Sequence, residues 1–117
     1  MALADPQELT VDATPYTLNR IKSDGYRSEY ASDDEAFKLT VSHQESKDRT
    51  RRMIRVDNRV VATDPLTSVN EYKSLGVYIV VDEPEYGFSD GDIVNIAAGL
   101  FALADATFLG KVLSNQH

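Results

Sequence analysis

The chain is 117 residues long, contains no cysteine and carries a formal net charge of −7 at pH 7. This length suits one domain, so we predict a single domain over residues 1–117. The lack of cysteine excludes disulfide bonds and thiolate metal sites. The negative net charge argues at first against a polyanionic ligand, because binding to polyanions depends largely on phosphate neutralisation by Lys and Arg.

Two short strands are predicted at the start of the chain, over residues 8–11 and 16–21. Between them lies Asp-Ala-Thr-Pro, a turn-forming sequence, and Pro15 suits a strand start or an edge because it has no N–H. Residues 1–22 are therefore expected to form an N-terminal β-hairpin. A polar strand over residues 26–31 follows the turn at residues 23–25.

A second hairpin, over residues 37–45 and 51–61, alternates with a period of two. In its first strand one phase is Phe37, Leu39, Val41 and His43, and the other is Lys38, Thr40, Ser42 and Gln44. In its second strand one phase contains Ile54, Val56 and Val60, and the other contains Met53, Arg55, Asp57 and Arg59. One face is therefore expected to pack on a core and the other to meet a polar partner. Keeping Val60 in phase with Val56 leaves Asn58 on the core face unless a bulge intervenes.

The charge of this hairpin differs from that of the rest of the chain. Residues 38–59 contain seven Lys or Arg and three acidic residues, a local charge of +4. The remaining residues contain five basic and sixteen acidic side chains, a charge of −11. This asymmetry indicates one basic surface on an acidic body. The alternative is a solvated hairpin without a ligand.

Residues 68–81 give the longest strand signal. The apolar phase contains Val69, Leu75, Val77, Ile79 and Val81. The opposite phase is Asn70, Tyr72, Ser74, Gly76 and Tyr78. With the preceding strands, this segment predicts an antiparallel sheet over residues 25–82.

The C-terminal part of the chain, residues 89–114, is predicted to be helical. Ser89 suits the N-cap of a helix that begins at Asp90. Residues 93–113 are apolar around most of the helix circumference, and Asp105 and Gly110 favour a break into two shorter helices. The longest apolar stretch, residues 93–104, is too short to span a bilayer, so we expect no membrane partner.

A helix that is apolar on all sides has to be buried on more than one side. One sheet from a single chain does not easily supply that cover. We therefore infer a homodimer in which the helices of each subunit lie partly on the sheet of the other. The alternative is a monomer whose helices pack against the N-terminal hairpin.

Catalytic motifs are weak. A Ser-His-Asp arrangement would have to use His43, which lies on the apolar phase of its strand, where a core histidine is far more common than a base. The sequence contains no glycine-rich phosphate loop, paired-histidine metal motif or dinucleotide fingerprint. We therefore expect no enzymatic activity, no metal site and no cofactor.

The order of the segments resembles that of the coat proteins of single-stranded RNA bacteriophages of the levivirus type. The resemblance rests on FKLTVSHQ, RMIRVDNRVV and NEYKSLGVYIVV, which follow two short strands and precede apolar helices, and it covers nearly the whole chain. It implies an α+β fold with an N-terminal β-hairpin, a five-stranded antiparallel sheet and two C-terminal helices. It also implies an interlocked homodimer whose two sheets join edge to edge into one ten-stranded sheet.

The same resemblance implies a function. Coat proteins of this family assemble as dimers into an icosahedral shell, with genomic RNA against the inner face of the sheet. The dimer commonly binds an RNA hairpin, which packages the genome and represses translation of the replicase. The implied partners are therefore further copies of this chain and single-stranded RNA. The implied location is the virion capsid, assembled in the cytoplasm of a bacterial host.

Site residues can be carried over from the family where the pattern matches. The alternation Lys38-x-Thr40-x-Ser42 resembles the strand that contacts phosphate and unpaired adenines. Arg55 and Asp57 resemble the charged pair on the neighbouring strand. Tyr72 resembles the tyrosine of these coat proteins that stacks on a loop base. Such stacking contributes roughly 1–3 kcal/mol per base. An asparagine is common at the position of Ser74. With two further arginines of the basic hairpin, the predicted RNA-binding residues are Lys38, Thr40, Ser42, Arg51, Arg55, Asp57, Arg59, Tyr72 and Ser74.

Two other functions stay open at this point. One is a homodimeric RNA-binding protein that forms no shell. The other, of a different class, is a small dimeric enzyme that uses carboxylates in a pocket between sheet and helices. Particle size distinguishes the first from a capsid protein, and replacement of acidic rather than basic residues tests the second.

Overall fold

The computed structural model describes Leu3 and residues 5–116, and it divides the chain into two compact units, Met1–Glu83 and Pro84–His117. The strands are β1 (Gln7–Val11), β2 (Thr14–Ser23), β3 (Arg27–Ala31), β4 (Phe37–Glu45), β5 (Arg49–Thr63) and β6 (Asn70–Pro84). The helices are α1 (Asp90–Leu103) and α2 (Ala106–Leu113). The α+β class is therefore confirmed, whereas a single domain over residues 1–117 stays a prediction.

The strands form one curled antiparallel sheet in the order β1-β2-β3-β4-β5-β6. The predicted count of five strands is wrong, because β2 belongs both to the N-terminal hairpin and to the sheet. Over its ten residues, β2 pairs with β1 from Thr14 to Leu18 and with β3 from Asn19 to Ser23. The register shifts between Arg20 and Lys22, as at a β-bulge. The N-terminal hairpin is thus continuous with the other strands.

The hairpin of β4 and β5 has an unbroken register, from Phe37 opposite Asn58 to Glu45 opposite Thr50. The predicted bounds of β4 are confirmed, and β5 extends two residues further at each end than predicted. Since directly opposed residues lie on the same face, the two apolar phases coincide. Asn58 consequently lies on the apolar face without a bulge, which was one of the two expected outcomes.

Two large side chains form the centre of the described core, and both come from the strands before β4. Leu18 is 1% exposed and Tyr30 is 0% exposed. The Tyr30 hydroxyl accepts a hydrogen bond of 2.8 Å from Arg20 Nη2, which satisfies the buried oxygen. Beside them, the rings of Tyr16 and Phe37 pack with centroids 4.5 Å apart. The core therefore spans β2, β3 and β4.

The described part of β6 is an edge strand, because it neighbours only β5 in the sheet. It is 15 residues long, and every residue from Asn70 to Tyr78 is exposed. Leu75 and Val77, from its apolar phase, are among the exposed large side chains. An edge of this length and composition is suited to pairing with another strand.

The first helix of the second unit has a well-formed N-cap. The Ser89 hydroxyl accepts a hydrogen bond of 3.1 Å from the Asp92 N–H, and the Asp92 carboxylate accepts one of 3.1 Å from the Ser89 N–H. This reciprocal capping box confirms Ser89 as the N-cap. Asp105 ends the apolar run and caps α2 through the Phe108 N–H, so the predicted break lies at Asp105. Gly110 lies within α2.

Neither α1 nor α2 contains a buried residue among those described. Phe101, Leu100 and Leu109 each remain about half exposed. No single described helix is both long and apolar enough to cross a membrane; α1 and α2 meet the length and composition criteria only together, with a bend of 69° between them. The helices therefore present uncovered apolar surface.

Leu18→Ala should lower the free energy of unfolding by about 2–5 kcal/mol, because it leaves a cavity where a fully buried side chain stood. The matched control is Leu66→Ala, since Leu66 is 93% exposed. That control should change stability by less than about 0.5 kcal/mol. Urea denaturation followed by circular dichroism, at one protein concentration for all variants, measures both changes. Equal losses would contradict the position assigned to the core.

Candidate nucleic-acid interface

One side of the sheet collects most of the basic side chains of the strands. The register places Lys38 opposite Asp57, Thr40 opposite Arg55 and Ser42 opposite Met53. It extends the same side to β3, where Glu29 lies opposite Thr40, and to β2, where Lys22 lies opposite Glu29. We call this surface the basic face; on β2 to β5 it comprises Lys22, Arg27, Glu29, Lys38, Thr40, Ser42, Arg51, Met53, Arg55, Asp57 and Arg59.

Residues of β6 adjoin the basic face through its arginines. The Arg59 guanidinium lies over the Tyr72 ring at 4.5 Å from the ring centroid. The Arg55 guanidinium lies over the Tyr78 ring at 5.4 Å from the centroid. Cation–π contacts of this kind hold a guanidinium and a ring together. Tyr78 was not among the predicted site residues, although it has the same alternation phase as Tyr72.

A glycine permits the close approach of β6 to these charges. A Cβ atom added to Gly76 would lie 2.8 Å from Arg55 Nη2 and 3.1 Å from Asp57 Oδ1. Any side chain at this position would displace the arginine. Gly76 thus leaves room for Arg55 between β5 and β6.

Part of the basic face forms a concave pocket of about 430 Å³. Four predicted RNA-binding residues line it: Lys38, Asp57, Arg59 and Ser74. Its wall also contains the carboxylate of Glu35 and the apolar side chains of Ile21, Ala31 and Ala36. The pocket therefore combines two cations, two carboxylates, a hydroxyl and apolar surface.

Ion pairs neutralise the middle of the basic face. Lys38 Nζ lies 2.9 Å and Arg27 Nη2 lies 3.2 Å from the same Glu29 oxygen. Chiefly through its hydrogen bond with Lys38, and against the opposing effect of burial, the pKa of Glu29 lies below its ordinary value. Arg55 Nε forms a second pair with Asp57 Oδ1 at 2.9 Å. Glu29 therefore remains ionised at neutral pH and binds two cations.

The three remaining cations of the basic face differ from these. Lys22, Arg51 and Arg59 are exposed, and none forms an ion pair with a carboxylate of the described residues. Arg51 lies opposite Gln44, near the tip of the β4–β5 hairpin. These side chains are free to neutralise an external anion.

The predicted residues are not equally accessible. Tyr72 and Ser74 are exposed, and Ser42 is partly exposed. Thr40, by contrast, is only 3% exposed, although it lies on the basic face as expected. Its neighbour Glu29 was not among the predicted site residues. The only sequence signal for Glu29 was its alternation phase within a polar strand.

His43 lies on the opposite, apolar face of the sheet. Its Nδ1 is 2.9 Å from Arg52 Nη1. Arg52 in turn forms an ion pair of 2.8 Å with Glu83. The partner of this histidine is therefore an arginine and not the serine of a nucleophilic triad.

Comparisons with known proteins identify the family of the chain. The family model described as phage phiCb5 coat protein matches residues 4–84. No curated protein matches the sequence.

Solved structures show the same fold. The virus-like particle of bacteriophage AVE019 matches with a TM-score of 0.83 and 11% identity, over 99% of this chain and 98% of that one. The virus-like particle of Beihai levi-like virus 21 has a TM-score of 0.76 and 15% identity, over 99% and 98%. An unassembled virus coat protein dimer, described as a bacteriophage RNA-binding dimer, has a TM-score of 0.61 and 16% identity, over 97% and 95%.

The family match extends over all six strands, and the solved structures also cover the two helices. The resemblance inferred from the sequence is therefore confirmed. Coat proteins are structural components of the virion, so the protein is not an enzyme. The chain belongs to the phage phiCb5 coat protein family.

Proposed function

We propose that this coat protein assembles as homodimers into an icosahedral shell and binds single-stranded genomic RNA on the basic face. The observation that carries RNA binding is the segregation of charge. Six basic and two acidic side chains share the basic face of a chain whose net charge is −7. Such a surface attracts phosphate, and the acidic remainder of the chain does not oppose binding there.

The dimer would form at the open edge of β6. Pairing with β6 of a second copy joins strands β2 to β6 of each subunit into one ten-stranded sheet, with β1 attached to the first half of β2. The helices of each subunit would then interlock over the apolar face of the other. This arrangement buries surface that is exposed in the single chain, including Leu75, Val77 and Phe101. One structural neighbour is an unassembled virus coat protein dimer, which supports this arrangement.

Side chains of different chemistry would contact different parts of the RNA. Exposed arginines would neutralise phosphate, Tyr72 would stack on a base, and the hydroxyls of Ser42 and Ser74 would reach base edges. Packaging would take place in the cytoplasm of the bacterial host. A dimer bound to an RNA hairpin at a translation start would also exclude the ribosome, so translational repression belongs to the same proposal.

Protein expressed in bacteria should elute as a particle of megadalton mass that contains RNA. Size-exclusion chromatography with light scattering measures the mass, and absorbance at 260 and 280 nm measures the nucleic acid. The chain contains no tryptophan, so bound RNA would dominate the absorbance. A dimer without nucleic acid would contradict the proposal. A dimer that binds RNA but forms nothing larger would favour the RNA-binding protein without a shell.

Arg51→Gln should weaken RNA binding and reduce the slope of log affinity against log salt by about 0.7, the loss of one phosphate contact on single-stranded RNA. The matched control is Arg52→Gln, because Arg52 is adjacent in sequence but lies on the apolar face opposite His43. Both variants lose one positive charge. Filter binding at several salt concentrations gives the two slopes, and equal changes would mean that the basic face has no special role.

Tyr72→Ala should weaken RNA binding by about 1–3 kcal/mol if the ring stacks on one base. Stability should change little, since the side chain is exposed. Tyr86→Ala is the control, because Tyr86 is also exposed and lies outside the strands. Wild-type affinity in the Tyr72 variant would remove the stacking role.

A further inference from the structure

The carboxylate of Glu29 lies at the centre of the basic face. Glu29, Thr40 and Arg55 form one row across β3, β4 and β5. Glu29 is 8% exposed and Thr40 is 3% exposed. A hydroxyl that is almost wholly covered cannot form a hydrogen bond with a nucleobase unless its neighbours move.

Ion pairs hold the side chains around Thr40 in place. Lys38 and Arg27 both bind the Glu29 carboxylate, at 2.9 Å and 3.2 Å. On the other side, Arg55 is held by Asp57 at 2.9 Å and lies over the Tyr78 ring. Exposing Thr40 would require breaking ion pairs and would place an unpaired carboxylate next to a polyanion, which is unfavourable.

Two of the three unpaired cations, Arg51 and Arg59, lie away from this centre, whereas Lys22 lies opposite Glu29 at the β2 side of the row. Arg51 lies opposite Gln44, near the tip of the β4–β5 hairpin. Arg59 directly follows Asn58, which pairs with Phe37 at the other end of the hairpin. Arg59 follows Arg51 by eight positions, which corresponds to about 26 Å at about 3.3 Å per residue in a strand. An RNA backbone that binds both arginines would have to cross the neutral centre of the basic face.

We propose that Glu29 is a specificity-determining residue of the basic face. Its carboxylate prevents nucleobases from reaching Thr40 and neutralises Lys38 and Arg27. The face then binds the phosphate backbone of RNA mainly through the unpaired cations Lys22, Arg51 and Arg59 and distinguishes poorly between bases at its centre. This inference rests on the proposed binding of RNA and adds which groups of the protein contact the RNA. It also differs from what the family resemblance implies, namely a base held by Thr40.

The first test replaces the carboxylate by its neutral isostere, Glu29→Gln. The probes are two RNA hairpins with the same stem, one with an all-adenosine loop and one with an all-uridine loop. The wild-type, RNA-free protein should bind the two within about threefold of each other. Glu29→Gln should bind both about tenfold more tightly, with a salt slope steeper by about 1.4, because two released cations each gain a phosphate contact.

The matched control is Glu85→Gln. Glu85 is exposed in the segment between β6 and α1, outside the basic face, and its replacement changes the net charge by the same amount. It should leave the salt slope unchanged. If Glu29→Gln and Glu85→Gln had the same slope as each other, the inference would be wrong.

A second variant keeps the test decisive if Glu29→Gln does not fold. Thr40→Val preserves the shape of the side chain and removes only its hydroxyl. Because the hydroxyl is closed to RNA, this variant should bind both hairpins as the wild type does. A tenfold loss for one loop alone would show that Thr40 reads a base and would overturn the inference.

Failure of the inference and failure of the proposed function give different results. If the wild type binds neither hairpin at any salt concentration, RNA binding itself is wrong and the role of Glu29 is wrong with it. If the wild type binds RNA and Arg51→Gln reduces the slope, but Glu29→Gln has no effect, only the role of Glu29 is wrong.

Discussion

The structure depends on the unbroken register between β4 and β5. Nine consecutive residue pairs, from Phe37–Asn58 to Glu45–Thr50, assign every side chain of the hairpin to one of two faces. A shift of β5 by one residue against β4 would exchange the faces of β5 and place Arg55 in the apolar layer. The separation of a basic surface from an apolar one is therefore a property of the pairing. The acidic remainder of the chain can coexist with a basic surface for the same reason.

The apolar side of this division is incomplete in a single chain. Only Leu18, Tyr30 and Ala31 are buried apolar residues among those described. The helices and β6 add much apolar surface that the single chain leaves exposed. For a coat protein this imbalance is expected, because subunit contacts take the place of part of the internal core.

Local sequence patterns were enough to predict most elements. The alternation from Phe37 to Glu45 predicted the bounds of β4, and Ser89 predicted the start of α1. The double pairing of β2 could not be predicted in this way, since the choice of neighbours for each half depends on non-local contacts. The basic face was predicted from alternation phase, but the burial of Thr40 was not. Thr40 lies opposite Glu29 of β3, whose carboxylate binds Lys38, and these neighbours are known only once three strands are in register.

The open edge of β6 has a consequence for how the protein is made. A newly folded chain presents along that edge a row of backbone N–H and C=O groups without a neighbouring strand, beside apolar side chains. In the proposed dimer, pairing of β6 and irreversible aggregation compete for the same free chains, and aggregation gains as their concentration rises. On that proposal the yield of native protein depends on the rate of synthesis as well as on the sequence, and slower synthesis at lower temperature favours the dimer.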